Sequence, residues 1–237
     1  LPSLPRSYYE LVEATNRPDV QLKEVADIVE SDPVLVARVL QLVNSVFFGL
    51  RQRTTSIRQA ISYLGFDTLK SLVMTAHVFS SFEGTPRRSF SLERFQLYSL
   101  RVARLTRSLV DDLDPKLHEE AFTAAIVHDI GKLVMAMREP EAIDEVQRVT
   151  AETGRRERDV EMEMLGVSHA EVGAYLLSNW GIPFSIVEAT AFHDHPSDGA
   201  VTGCDVLAAT HTADSWAGIL TCGEPEDHFD VAFLHAV

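Results

Sequence analysis

The sequence predicts an all-α protein. Apolar residues recur at spacings of three and four along almost the whole chain, and no stretch alternates apolar with polar residues over a strand's length. Proline, glycine and capping residues also fall at intervals that suit helix ends. With 237 residues, 46% of them hydrophobic, the chain can form one large or two closely packed helical lobes around a core.

In chain order, Leu22, Val25, Ile28 and Val29 make the first amphipathic stripe. Ser31-Asp32-Pro33 opens the next helix, with a polar cap for the free amides and a proline pre-set for the first turn. Val36, Val39, Leu40 and Val43 form its buried face, and it stops near Asn44-Ser45-Val46-Phe47-Phe48-Gly49, where glycine permits a left-handed turn. Two aromatics beside a helix stop mark Asn44, Phe47, Phe48 and Gly49 as a loop for packing or partner contact, with both rings expected to be packed.

A helix from Thr55-Ser56 through Ile57, Ala60, Ile61 and Leu64 ends at Gly65, and Asp67 caps another through Leu69, Leu72, Val73 and Ala76. This pair reads as a plain helical hairpin, with a DNA-reading pair as the alternative. The polar, broken stretch Glu83-Gly84-Thr85-Pro86-Arg87-Arg88-Ser89 reads as a connector between an N-terminal helical lobe, 1–84, and a second lobe, 90–237. Helices are then expected at about 92–112, 117–128, 139–152, 156–164, 168–179, 183–194 and 201–219, punctuated by Pro115, Gly131, Pro140, Gly154, Gly166, Gly181, Pro183 and Pro196.

A formal net charge of −14 repels phosphate backbones and anionic membranes, so neither nucleic acid nor a membrane is an expected partner. The local exception is Arg94, Arg101, Arg104 and Arg107 on one predicted helix, read as a solvated face. No apolar run reaches the roughly 18 to 20 residues that span a bilayer, and Leu1-Pro2-Ser3-Leu4-Pro5 is not a basic segment followed by an apolar stretch, so a soluble, non-secreted chain is expected. Cys204 and Cys222 are too sparse for a disulfide framework, which suits a reducing cytoplasm. A chain that opens on Leu1-Pro2-Ser3 without a methionine is expected to be part of something larger.

The most specific local signal is Ala124-Ala125-Ile126-Val127-His128-Asp129-Ile130-Gly131-Lys132. An imidazole and a carboxylate at the end of an apolar helix must pair or hold a cation, because an unpaired buried charge is costly. Downstream, His169 lies in the capping box Ser168-His169-Ala170-Glu171, where the positive helix end favours its neutral, metal-competent form. His193 and Asp194 fall on inward faces of a predicted helix, and Asp214 follows His211 on a mostly apolar one. Each has an ordinary alternative as a satisfied core group.

His128-Asp129-Ile130-Gly131-Lys132 resembles the signature of the HD phosphohydrolase superfamily. The resemblance implies His128, Asp129, His169, His193 and Asp214 as metal ligands, with Lys132 beside phosphate in any enzymatic form. Asp194 stands where two-metal members often carry a histidine. Tyr98, in Gln96-Leu97-Tyr98-Ser99, replaces the first ligand. A phenol must lose its proton to bind a divalent ion well, at about 4 kcal/mol near neutral pH, so metal binding is weakened. His193-Asp194-His195-Pro196-Ser197-Asp198-Gly199 lacks the Gly-Tyr-Pro of the cyclic-di-GMP-cleaving branch.

The N-terminal segments Leu1-Pro2-Ser3-Leu4-Pro5, Asp32-Pro33-Val34-Leu35, Asn44 to Gly49 and Thr55 to Gly65, with Trp180-Gly181-Ile182-Pro183 later, resemble the HDOD (HD-related output domain) pattern. That implies a helical bacterial output domain joined to other signalling domains, with an HD-type site that is frequently incomplete. Two principal readings follow. One is a regulatory module acting through ligand or partner contacts, a nucleotide among the candidate ligands and no cofactor required. The other is a metal-dependent phosphohydrolase acting on a nucleotide or cyclic dinucleotide with Mn, Fe or Mg.

Overall fold

The computed structural model describes residues 4–45, 48, 50, 52–81, 90–113, 117–199, 205–222 and 229–236. Among them there are helices and one short 3-10 turn but no strand. The chain divides into two compact units, Pro2–Glu83 and Gly84–Val237. No helix among the described residues is long and apolar enough to cross a membrane.

In the first unit, α1 (Arg6–Thr15), α2 (Leu22–Glu30) and α3 (Pro33–Val43) pack on α4 (Ile57–Ser81). Leu11, Val25, Val29, Val39, Val43, Ile57, Leu69, Leu72 and Val73 are buried there, following the helical period of the sequence. The Asp32 carboxylate accepts from the Val34 and Leu35 amides, with Pro33 in the first turn. The expected break at Gly65 is present as a kink inside α4, at φ 80° and ψ 176°, a conformation open essentially to glycine alone. α1 was not legible, because Tyr8, Tyr9 and Leu11 follow two prolines and make only a short stripe.

The loop after α3 is pinned by Asn44. Its amide nitrogen donates to the Leu40 and Thr54 carbonyls, both at 2.8 Å, and its side-chain oxygen accepts from the Thr54 amide at 2.7 Å. Phe48 is half-buried, while Phe47 and Gly49 lie outside the described residues. Asn44→Ala removes three bonds and leaves backbone groups of Thr54 unsatisfied, so it is expected to cost about 2 kcal/mol in urea denaturation. An unchanged midpoint would show that the loop is not anchored through this side chain.

The second unit comprises α5 (Leu92–Leu113), α6 (His118–Val127), α7 (Ile130–Arg138), α8 (Pro140–Thr153), α9 (Glu157–Leu165), α10 (His169–Asn179), α11 (Phe184–Phe192), the 3-10 turn Pro196–Asp198, α12 (Val206–Cys222) and α13 (Val231–Ala236). α5, α6, α11 and α12 pack together, and α10 bridges α7 and α11. Gly131, expected as a helix break, instead lies inside α7. It is there for close approach, since a Cβ on it would stand 1.9 Å from the His169 carbonyl oxygen of α10. The α7–α10 crossing thereby brings Asp129, just before α7, against His169, the first residue of α10.

Candidate metal centre

His128 ends α6, Asp129 joins α6 to α7, His169 opens α10, His193 and Asp194 follow α11, and Asp214 lies on α12. The fold therefore collects five helix ends or faces around one cluster. His128, Asp129, His169 and His193 are at most 3% exposed. Ligand-capable atoms of His128, His193 and Asp214 lie within 4.8 Å of one another, as do those of Asp129, His169 and His193. Lys132 joins them, its Nζ 2.9 Å from Asp129 Oδ2 and 3.0 Å from Glu157 Oε2.

The imidazoles share one orientation. Nδ1 of His128 bonds the Ala125 carbonyl at 2.7 Å, Nδ1 of His193 the Thr190 carbonyl at 2.9 Å, and Nδ1 of His169 the Glu161 carboxylate at 2.6 Å. Each Nδ1 is therefore a donor and each Nε2 faces the cluster, the arrangement in which histidine ligates a metal. His211 sits behind them: its Nδ1 donates to the His193 carbonyl and its Nε2 accepts from the Asp230 amide, so it is neutral and buttresses the end of α11. Burial lowers its pKa in keeping with this.

The cluster has two halves. In the first, Tyr98 on α5 donates its hydroxyl to Asp214 Oδ1 at 2.8 Å, and His128 Nε2 lies 3.1 Å from the same oxygen and 3.4 Å from Asp129 Oδ2. Burial opposes charge on His128, but the carboxylates of Asp129 and Asp214 outweigh it and push its pKa up to about 10. The first half is thus a closed network of phenol, imidazolium and carboxylates. The second half is open. Asp129 Oδ1 and Asp194 Oδ2 each lie 3.2 Å from His169 Nε2, and 3.5 and 3.6 Å from His193 Nε2. Asp129 Oδ1, His169 Nε2 and Asp194 Oδ2 are nevertheless buried without a hydrogen-bond partner, because the groups converge without aligning.

Unpaired buried atoms of this kind need a reason. Donors held about 2.1 Å from one ion lie roughly 3.0 to 3.4 Å from each other, close to the spacing seen here, and a mixed imidazole–carboxylate set suits Mn, Fe or Zn. The residues present fit a divalent cation in this second half. Without one, charge is balanced by protons. Burial and Lys132 oppose protonation of His169, yet Glu161, Asp194 and Asp129 hold its pKa well above the ordinary value. The carboxylates around His169 thus act against the neutral form that the helix end favours. Asp194, against its own burial, is held well below the carboxylate range by His193 and His169.

Sequence reasoning missed Glu161, which accepts both the ring and the backbone N–H of His169, and Glu157, which anchors Lys132. α9 carries Glu157, Asp159, Glu161 and Glu163, and spacing alone gives no sign of which is buried.

The HDOD domain profile matches residues 1–196. The chain belongs to the HDOD family. An HDOD domain protein with unknown function from Geobacter sulfurreducens is 27% identical, with a TM-score of 0.77 over 95% of this chain and 75% of that one. A Shewanella amazonensis SB2B protein, provisionally named a phosphohydrolase, is 29% identical, with a TM-score of 0.76 over 99% of this chain and 82% of that one. An uncharacterized protein of Treponema pallidum (strain Nichols) is 28% identical over 202 residues, 81% of this chain but only 37% of its own length. The HDOD match ends at residue 196, before α12 and Asp214.

Proposed function

We propose that the chain is the regulatory output part of a bacterial cytoplasmic signalling protein, and that it reports occupancy of its HD-type site to attached domains or partners by contact. The observation that carries this reading is Tyr98. It stands where the superfamily places a first ligand, and its hydroxyl is engaged by Asp214. A phenol whose hydroxyl donates to a buried carboxylate is poorly placed to lose its proton and bind an ion, because the phenolate would face that carboxylate's negative charge.

Asp129, His169, His193 and Asp194 would hold a single transition-metal cation such as Mn or Fe, reversibly and without need for it in folding, while two imidazole ligands disfavour Mg. When bound, the cation supplies a fixed positive charge able to polarise a phosphoryl oxygen. Asp129 orients Lys132 toward the cavity, and Glu161 fixes the ring of His169. The same convergence, with Lys132 at the cavity wall, supports the second reading of a metal-dependent phosphohydrolase.

The two readings separate by titration of Mn2+ alongside assays on bis-p-nitrophenyl phosphate and cyclic dinucleotides. The regulatory reading expects one weakly held equivalent and no turnover. Tyr98→His should strengthen cation uptake, because a neutral imidazole needs no deprotonation of a phenol, and His128→Ala in that background should remove the gain. Two tightly held equivalents and His128-dependent turnover in the unmodified protein would replace it with the phosphohydrolase.

A further inference from the structure

The cavity beside the imidazole cluster, about 700 Å³, is far larger than a cation and its waters need. One wall belongs to α5, where Arg94 and Arg101, seven positions apart, fall on the same face. Arg156 and Arg158, at the start of α9, stand on another. With Lys132, five cationic side chains border one cavity in a chain whose formal net charge is −14.

Most carboxylates of this cavity are already engaged. Asp129 and Glu157 hold Lys132, and Asp214 holds Tyr98 and His128. Arg94 and Arg101 have no carboxylate within ion-pair distance among the described residues. The carboxylates nearest Arg158, of Asp159 and Asp198, lie 4.0 Å away at the limit of pairing. Arg156 is spent on the Asp194 carbonyl at 3.2 Å, which ties the arginine wall to the cation half. Guanidinium forks that the protein does not neutralise match the paired oxygens of a phosphate. Between the arginines of α5, Leu97 and the half-buried ring of Tyr98 line the cavity, with Phe90 beside them, its ring tilted against the buried Phe95.

We propose that this cavity binds a small phosphate ester carrying a flat ring, of mononucleotide size, with its phosphate on Arg94 and Arg101 and its ring on the Phe90–Tyr98 wall. The proposal rests on the reading of the cavity as a ligand site and does not require the cation. A long polyanion is disfavoured by the acidic remainder of the surface.

The test is calorimetric titration of the full chain with AMP, GMP, adenosine and inorganic phosphate, in chelator and again with Mn2+. At least one nucleotide should bind in chelator, with its affinity falling as salt rises and adenosine weaker by about tenfold or more. Arg94→Gln/Arg101→Gln should lose about tenfold or more, whereas Arg104→Gln/Arg107→Gln, on the same helix but outside the cavity, should match wild type. The proposal is overturned if neither AMP nor GMP binds in chelator, if adenosine or inorganic phosphate binds as tightly as the nucleotide, or if the Arg94/Arg101 variant binds as wild type. Nucleotide binding that persists in His169→Ala while Mn2+ uptake is lost would uphold it, so failure of the cation reading is seen separately.

Discussion

Gly131→Ala is expected to destabilise the second unit by about 3 kcal/mol or more, at the upper end of overpacking effects. The added methyl would stand 1.9 Å from the His169 carbonyl oxygen and 2.8 Å from the Gly173 amide nitrogen. Both neighbours are backbone of α10, so neither can swing aside as a side chain would. α7 and α10 must separate, and Asp129 and His169 separate with them. Gly173→Ala provides the control: its Cβ would meet the Thr190 methyl at 3.0 Å and the Gly131 nitrogen at 3.2 Å, a milder conflict. Chemical denaturation of both variants should rank Gly131→Ala as the more damaging, with loss of cation uptake in the folded remainder. Equal and small effects would mean that the two helices are not held at this distance.

Asp129→Ala should have an effect of similar size for a different reason. Its carboxylate lies beside Lys132, His128, His169 and His193, and its own pKa, against burial, is held well below the ordinary range by Lys132 and His128. Removing one partner of a buried charge network typically costs about 3 to 5 kcal/mol, because the remaining charges stay buried without compensation. Metal-free Asp129→Ala is expected to fall in that range at neutral pH by denaturant titration, and to take up no Mn2+. Asp129→Asn keeps the volume and isolates the loss of charge. If both variants kept wild-type stability, the cluster would be neutral rather than a set of paired ions.

The helices of this chain were legible where one local signal sufficed. Asp32-Pro33 announced the start of α3, Gly65 the kink of α4, and Ser168 to Glu171 the capping box of α10. α7 was overlooked because glycine is ordinarily a helix breaker, and only the approach of α10 explains Gly131. The site divided along the same line. His128, Asp129, His169, His193, Asp194 and Asp214 were marked by motif, order and inward face, and the structure brings all six together. The carboxylates that raise the pKa of His169 were not legible, because Glu161 comes from α9 and Asp194 from the segment after α11. Nor did sequence separate the closed half around Tyr98 from the open half around His169, since both contain histidine and aspartate. The arginine stripe of α5 read as a solvated face, and only the fold shows Arg94 and Arg101 bordering a cavity while Arg104 and Arg107 do not line it.

The asymmetry of the two halves is tested most directly by diffraction from crystals of this chain soaked in Mn2+, with data collected at a wavelength where manganese scatters anomalously. The account expects one anomalous peak, among Asp129 Oδ1, His169 Nε2, His193 Nε2 and Asp194 Oδ2, with the Tyr98 hydroxyl still on Asp214. A peak between His128 and Asp214 with Tyr98 displaced, or no peak at either position at saturating Mn2+, would contradict it.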